Sequence, residues 1–285
     1  MAVATVTEQY VTLSHGKTRY LEAGTGFPTI LLHGVGFTAG GDSWLLNLEP
    51  LSKEGLRVLA PDFLGWGEGD RLDMEYSFAY LVDFIREFQD SLGIRKSHIV
   101  GHSMGGWLAS LFAYESPERV EKLVLVAAGG TAPRTLPSMT KFQMPSKDAV
   151  RQGVEARFAD SGLDLDEIAE NHYERSRRPG VVDAYQKILN HMNNPLTRQR
   201  YNTLRRLPLI TAPTLVVWGR DDTTNVLEMG EKTHQLIPGS KLVIFDQCGH
   251  FVPTDQPTKF NHAVADFLRP QVVRTRVRVH RAARR

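Results

Sequence analysis

The 285-residue sequence contains a single cysteine, Cys248. No intramolecular disulfide framework and no multi-cysteine zinc site can be built from it, and a reducing compartment is the expectation. Long apolar runs are also missing. Residues 23–41 and 97–114 carry no formal charge, but the first stretch holds six glycines and a proline. The second holds His102, Ser103 and a Gly-Gly pair, so neither reads as a membrane-spanning helix. The first Lys or Arg is Lys17 and no apolar stretch accompanies the start, so no secretory leader is read and a cytoplasmic location is expected. An excess of charge is lacking too, with 34 Lys+Arg against 32 Asp+Glu. That balance is uneven along the chain. Residues 271–285 hold six arginines and no acid, which leaves 28 basic against 32 acidic residues in 1–270. The stretch reads as a basic, solvated, flexible tail. Nucleic acid or anionic lipid is the alternative reading of the tail, and nucleic acid is not an expected partner.

What is present is enough apolar residue, 41%, to build a large core. Short Val/Ile/Leu-rich runs bounded by Gly, Pro or Asp recur at Thr29–Leu32, Arg57–Ala60, His98–Val100, Leu123–Ala127, Thr214–Trp218 and Lys241–Phe245. Runs of this kind suit strands of a parallel sheet buried on both faces. Amphipathic segments lie between them. The clearest starts after Ser77, an N-cap residue, and places Phe78, Leu81, Ile85, Phe88 and Leu92 on one helical face before Gly93. The alternation predicts an α/β fold, a doubly wound and mostly parallel sheet with helices on both faces. Tyr10–Leu13 and Thr18–Leu21 around Ser14-His15-Gly16-Lys17 predict an antiparallel hairpin at its edge.

The alternation stops after Gly130. From 131 to 208 the sequence reads as helices broken by prolines and glycines, with Asp164 and Glu167 as a capping box. This region holds 13 basic and 9 acidic residues. It is expected to be a cap of helices, 131–208, inserted into a core formed by 1–130 and 209–270 and lying over the carboxyl ends of the strands. Met144 and Phe142 are candidate pocket-wall residues within it, with simple packing as the plainer role.

Gly101-His102-Ser103-Met104-Gly105 fits G-x-S-x-G with a strand before it and a helix after it. The pentapeptide alone arises by chance in about one chain in ten, so its context has to carry the reading. A serine needs a base to take its proton, and the base needs a third group to fix its tautomer. Asp221 and Asp222 follow the run at Thr214–Trp218, and both are candidate acids. Of the four histidines after them, His234 and His262 lie in polar helical patterns and His280 in the tail. His250, in the loop after Lys241–Phe245, is the base in the right place. An oxyanion hole requires backbone N–H donors. The loop His33-Gly34-Val35-Gly36 lies where one belongs, and Val35 and Met104 are the candidate donors, with His33 in a structural role. Gly34, Gly36 and Gly40 miss the dinucleotide-binding spacing by one residue.

The segments Leu31-Leu-His-Gly34, Ala60-Pro-Asp-Phe-Leu-Gly-Trp-Gly67, Gly101-His-Ser-Met-Gly-Gly106, Val217-Trp-Gly-Arg-Asp-Asp222 and Cys248-Gly-His250 occur in the order found in serine hydrolases of the α/β-hydrolase fold. The chain resembles that family over residues 10–269. The resemblance implies an eight-stranded, mostly parallel sheet. It also implies Ser103 as nucleophile, His250 as base and then acid, and Asp222, at the end of the family's G-x-x-D, as the orienting acid. No cofactor and no metal are implied.

Within the family, Trp218–Asp222, Leu227–Gly230, Asp246–His250 and Phe260–Leu268 are similar to the meta-cleavage-product hydrolases, which cut a carbon–carbon bond in vinylogous diketone acids. The chain departs from that group at His102, where the group has Asn, and at Phe251, where it has Trp. The position of that group's carboxylate-binding arginine falls near His172, with Arg175, Arg177 and Arg178 as neighbouring substitutes. A Gly-His-Ser nucleophile is commoner in esterases. The resulting expectation is ester or related acyl hydrolysis through an acyl-enzyme, with C–C hydrolysis as the enzymatic alternative and a ligand receptor on a hydrolase fold as the non-enzymatic one. The partner is a small-molecule substrate, bound in part by Gly36, His102, Phe142, Met144, Arg175 and Phe251. Monomer and homodimer are both compatible with the sequence.

Overall fold

The computed structural model describes residues 5–132, 142–159 and 161–269. The arginine-rich tail lies outside them. Eight strands form one sheet: β1 (Thr7–Leu13), β2 (Gly16–Ala23), β3 (Phe27–Leu32), β4 (Leu56–Pro61), β5 (Ser97–His102), β6 (Val120–Val126), β7 (Thr214–Gly219) and β8 (Lys241–Phe245). Their order is β1-β2-β4-β3-β5-β6-β7-β8. Pairing is parallel from β4 to β8 and antiparallel where β2 meets β1 and β4. The expected hairpin is the β1–β2 pair, with Leu13 opposite Gly16.

The apolar runs form strands because both faces are covered. Ile30, Leu32, Ile99, Leu123, Leu125, Val216 and Trp218 point into one hydrophobic cluster. Leu31, Val58, Val100, Val124, Val126, Leu215 and Val217 point into the other. Successive residues alternate between two cores rather than between core and water. The first core is covered by α2 (Phe78–Ser91) and α3 (Met104–Glu115), and the second by α1 (Leu45–Ser52) and α10 (Pro257–Leu268). Ser77 caps α2 as expected, its Oγ accepting from Tyr80 N at 3.1 Å.

Among the described residues four further α-helices stand between β6 and β7, α4 (Lys147–Phe158), α5 (Leu165–Ser176), α6 (Val181–Asn193) and α7 (Pro195–Tyr201). The remaining helices, α8 (Leu227–Leu236) and the short α9 (Val252–Asp255), belong to the C-terminal part of the core. Half of the capping box expected on α5 is made. Asp164 Oδ1 accepts from Glu167 N at 3.0 Å, and no return bond from Glu167 is found among the described residues.

Helix α5 is joined to the core by a buried charge cluster. Arg19 of β2, 1% exposed, donates to Asp62 and to Asp42, each at 2.9 Å. Asp42 also receives Arg175, and Glu68 receives Arg178 together with Arg175 Nε at 2.6 Å. Among the described residues no helix is long and apolar enough to cross a membrane.

Candidate active site

Parallel strands end on the same edge of a sheet, so the loops after β3, β5, β7 and β8 converge there. Ser103 occupies the turn from β5 into α3 at φ 55° and ψ −114°. An L-residue held there costs about 1–3 kcal/mol. The strain is enforced by crossing backbones. A Cβ at Gly101 would lie 2.3 Å from Gly105 O, and one at Gly105 would lie 2.3 Å from Leu32 O. Both glycines of the motif are therefore spatial requirements. Ser103 N donates to Val126 O at 2.9 Å, and Ser103 O accepts from Gly129 N at 2.9 Å, which fixes the turn to β6.

Asp222 lies three residues beyond the end of β7 with its side chain fully buried. Its Oδ1 accepts from the N–H groups of Thr224 and Asn225 at 2.8 and 2.9 Å, which orients Oδ2 toward His250. Asp221 is exposed, so the structure separates the two candidate acids. His250 Nδ1 lies 2.7 Å from Asp222 Oδ2 and its Nε2 lies 3.0 Å from Ser103 Oγ. With Nδ1–H donated to the carboxylate, Nε2 is left to accept the serine proton. The three residues predicted to act together meet with hydrogen-bonding geometry.

Two more histidines hold the frame. Burial, followed by the nearby His250, pushes His102 down to about 3, so its ring is neutral. Its Nε2–H donates to the carbonyl of His250 at 2.9 Å and ties the base's loop to the nucleophile turn. His33, fully buried, donates Nδ1–H to Gly34 O at 2.8 Å and accepts from Phe63 N at 3.1 Å, a structural role as expected. Cys248 is no rival nucleophile: burial and then Asp255 push its thiol up to about 12. Val35 borders the cavity in front of Ser103. Met104 is the first residue of α3, where the N–H has no intrahelical partner.

The cavity before Ser103 has a volume of about 280 Å³ and is lined by the loop Gly34–Gly36, by His102, Ser103, His250 and Phe251, and by Arg157 of α4 and Tyr185 of α6, among others. The inserted helices thus complete its wall. The family described as the alpha/beta hydrolase fold matches residues 28–257. The chain belongs to that family. It is 32% identical over 268 residues to a 2-hydroxy-6-oxononadienedioate/2-hydroxy-6-oxononatrienedioate hydrolase of Comamonas testosteroni, covering 90% of this chain and 92% of that one. A 2-hydroxy-6-oxo-6-phenylhexa-2,4-dienoate hydrolase from the same organism is 33% identical over 269 residues, covering 90% and 93%. The solved meta-cleavage product hydrolase of Pseudomonas fluorescens IP01, in complex with acetates, superposes with a TM-score of 0.77 at 31% identity, covering 91% and 96%.

In this α/β hydrolase, the substrate-binding residues expected from sequence fall into two groups. Gly36, His102 and Phe251 line the cavity. Phe142 stands behind the wall, with its ring 4.8 Å from that of Tyr185. Met144 is 40% exposed and does not line the cavity. Arg175 does not reach it either, because Asp42 and Glu68 hold its guanidinium. Arg157 was missed. Its signal was an arginine three residues after Val154 on the α4 stripe of Val150, Val154 and Phe158, all buried.

Proposed function

We propose that this protein hydrolyses the carbon–carbon bond of a 2-hydroxy-6-oxo-dienoate. One observation carries the reading: the relatives matched over nine-tenths of the chain are named for such dienoates. Neither is named for an ester, so C–C cleavage replaces ester hydrolysis as the leading reading. The assembled triad weighs against the receptor alternative. Helices α4 to α7 would act as the cap that excludes bulk water from the cavity.

A carbon leaving group requires an electron sink, and the dienol supplies it. Moving the enol proton from O2 to C5 gives a β,γ-unsaturated α-keto acid with an isolated carbonyl at C6. Ser103 Oγ attacks C6 while His250 Nε2 takes its proton, and the imidazolium formed is stabilised by Asp222. The N–H groups of Val35 and Met104 hold the oxyanion. Collapse breaks C5–C6, and the electron pair passes through the conjugated system to the C2 carbonyl. His250 returns its proton to the leaving fragment, which departs as a 2-hydroxy-dienoate. Water then attacks the acyl-enzyme, His250 takes one of its protons and passes it to Ser103, and the acid is released.

The test is bleaching of 2-hydroxy-6-oxo-6-phenylhexa-2,4-dienoate by the wild type and by Ser103→Ala. The wild type is expected to bleach it, and the variant to lose about three or more orders of magnitude in kcat. Folded wild type that leaves the dienoate intact while turning over p-nitrophenyl esters would return the assignment to ester hydrolysis.

A further inference from the structure

Asn225 stands shortly after Asp222 and is 6% exposed. Its backbone N–H is one of the two that hold Asp222 Oδ1, and its carbonyl accepts from Trp218 Nε1 at 2.7 Å. Trp218 is fully buried, and α8 crosses it so closely that a Cβ at Gly230 would lie 2.5 Å from the indole. The side chain of Asn225 reaches in another direction. Its Nδ2 donates to the carbonyl of Ala127 at 2.7 Å. Ala127 is fully buried and has φ 43°, a left-handed conformation that a residue with a Cβ rarely adopts. Its N–H donates to Val217 O of β7 at 2.9 Å. On either side of Ala127 the turn grips the nucleophile, since Val126 O accepts from Ser103 N and Gly129 N donates to Ser103 O. Among the described residues no other side chain bonds the loop 221–226 to the turn 126–129.

We infer that Asn225 is a positioning residue of the triad, its side-chain amide being the strut that fixes the loop of the acid to the turn that braces the nucleophile. This rests on the Ser103–His250–Asp222 triad of the proposed reaction. A buried peptide carbonyl requires a donor. Ala127 lies beyond the end of β6, so no sheet ladder supplies one to its carbonyl, and Asn225 Nδ2 does. Residue 225 is thereby held from the sheet through Trp218 and from the nucleophile turn through Ala127, and its N–H stays aimed at Asp222 Oδ1. The carboxylate so fixed orients the imidazole that takes the serine proton. The contacts close a ring from Ser103 through the turn 126–129, Asn225, Asp222 and His250 back to Ser103. Loss of the Nδ2 donor opens that ring without removing a reacting group.

The experiment compares the wild type with Asn225→Leu, which keeps the volume of the amide but has no donor, and with Asn225→Ala, which removes more packing but leaves room for a water to donate in its place. Thermal melting establishes that each variant is folded. Activation of Ser103 is read as the second-order rate of labelling by a small fluorophosphonate, and the His250–Asp222 bond as the low-field proton resonance of Nδ1–H. Asn225→Leu is expected to label about ten- to hundredfold more slowly and to displace that resonance. Its kcat for 2-hydroxy-6-oxo-6-phenylhexa-2,4-dienoate falls by a similar factor while KM stays within about twofold. Asn225→Ala loses no more than Asn225→Leu. Asn225 also lines a space of about 30 Å³ beside Ser103, with Trp107, Met192 and Met229 among its other walls. A raised KM with labelling and resonance unchanged therefore makes Asn225 a pocket wall and overturns the inference. Asn225→Leu close to wild type with Asn225→Ala impaired marks packing and overturns it as well. Failure of the triad itself is seen elsewhere, as folded wild type that the fluorophosphonate does not label, and failure of the C–C reading as labelled wild type that does not bleach the dienoate.

Discussion

Helices α4 and α5 both carry arginines toward the core, and the core receives them differently. Arg175 of α5 meets Asp42 and Glu68, and Asp42 is itself held by the buried Arg19. Among the described residues Arg157 of α4 meets no carboxylate and lies over the face of Phe251. A buried charge whose partners are built in serves as a fastener, since its desolvation is offset within the fold. Arg157 is only half-buried and borders an outer groove between α4 and the α9–α10 corner, so its charge is not offset within the described fold and keeps access to solvent. The α5 seam thus holds the inserted helices in place, and the α4 seam lines the cavity before Ser103.

The hardest way to break the comparison is to remove the base of the fastener. Arg19→Met leaves Asp62, which is 0% exposed, with backbone N–H donors from Gly41 and Glu68 but no cation, and removes one of the partners of Asp42. A loss of about 3–5 kcal/mol is expected from urea unfolding. Adding Asp62→Asn should recover part of it, because an amide is cheaper to bury than an unpaired carboxylate. A loss below about 1 kcal/mol would mean that water screens the cluster and that α5 is held by packing alone.

Acid separates the two regions further. Burial alone would raise the Asp42 carboxyl, but the His172 ring, Arg19 and Arg175 outweigh it and hold it well below the carboxylate range. Its stabilisation is present above the unfolded value near pH 4 and is lost only as pH falls below that. The histidines beneath the active site behave otherwise. Burial, then Lys122, takes His98 down to about 4, and His102 goes to about 3. Both are depressed below the unfolded value of about 6.5, so the unfolded chain binds protons that the folded chain refuses. Stability is expected to fall as pH drops below about 6.5, with a slope of about 1.4 kcal/mol per pH unit for each histidine in the window between its two values. His98→Leu should flatten the slope by one proton's worth when unfolding is followed from pH 7 to 5. A decline that begins only below pH 4 would put control in Asp42, the core carboxylate that receives Arg175 of α5, instead.

These contrasts also explain what could be read in the sequence. Five of the six parallel-sheet strands were legible because burial on both faces leaves Val, Ile and Leu runs, and β8, at the sheet edge and only partly buried, kept the same composition. The nucleophile turn was legible because Gly101 and Gly105 are required by backbone contacts of 2.3 Å. Asp222 and Asp221 were not separable from residue type and position. Their difference lies in two backbone amides, of Thr224 and Asn225, that point at one carboxylate. The α5 arginines looked alike in sequence, since their partners Asp42 and Glu68 lie more than a hundred residues away. Arg157 was hidden for the same reason: Phe251, which it faces, belongs to the loop of the catalytic base.

The gentlest test stays within the fastened seam. Arg178 pairs with the same Glu68 as Arg175, but its side chain is 47% exposed where that of Arg175 is 16% exposed. Its charge remains largely hydrated, so the pair gains little by forming. Arg178→Gln is expected to cost under about 1 kcal/mol in urea unfolding and to fade further in high salt. Dienoate binding should not change, because Arg178 does not line the cavity. A larger and salt-insensitive loss would show that the fastening extends to the rim of α5, and the sharp division between a paired seam and an unpaired one would have to be redrawn.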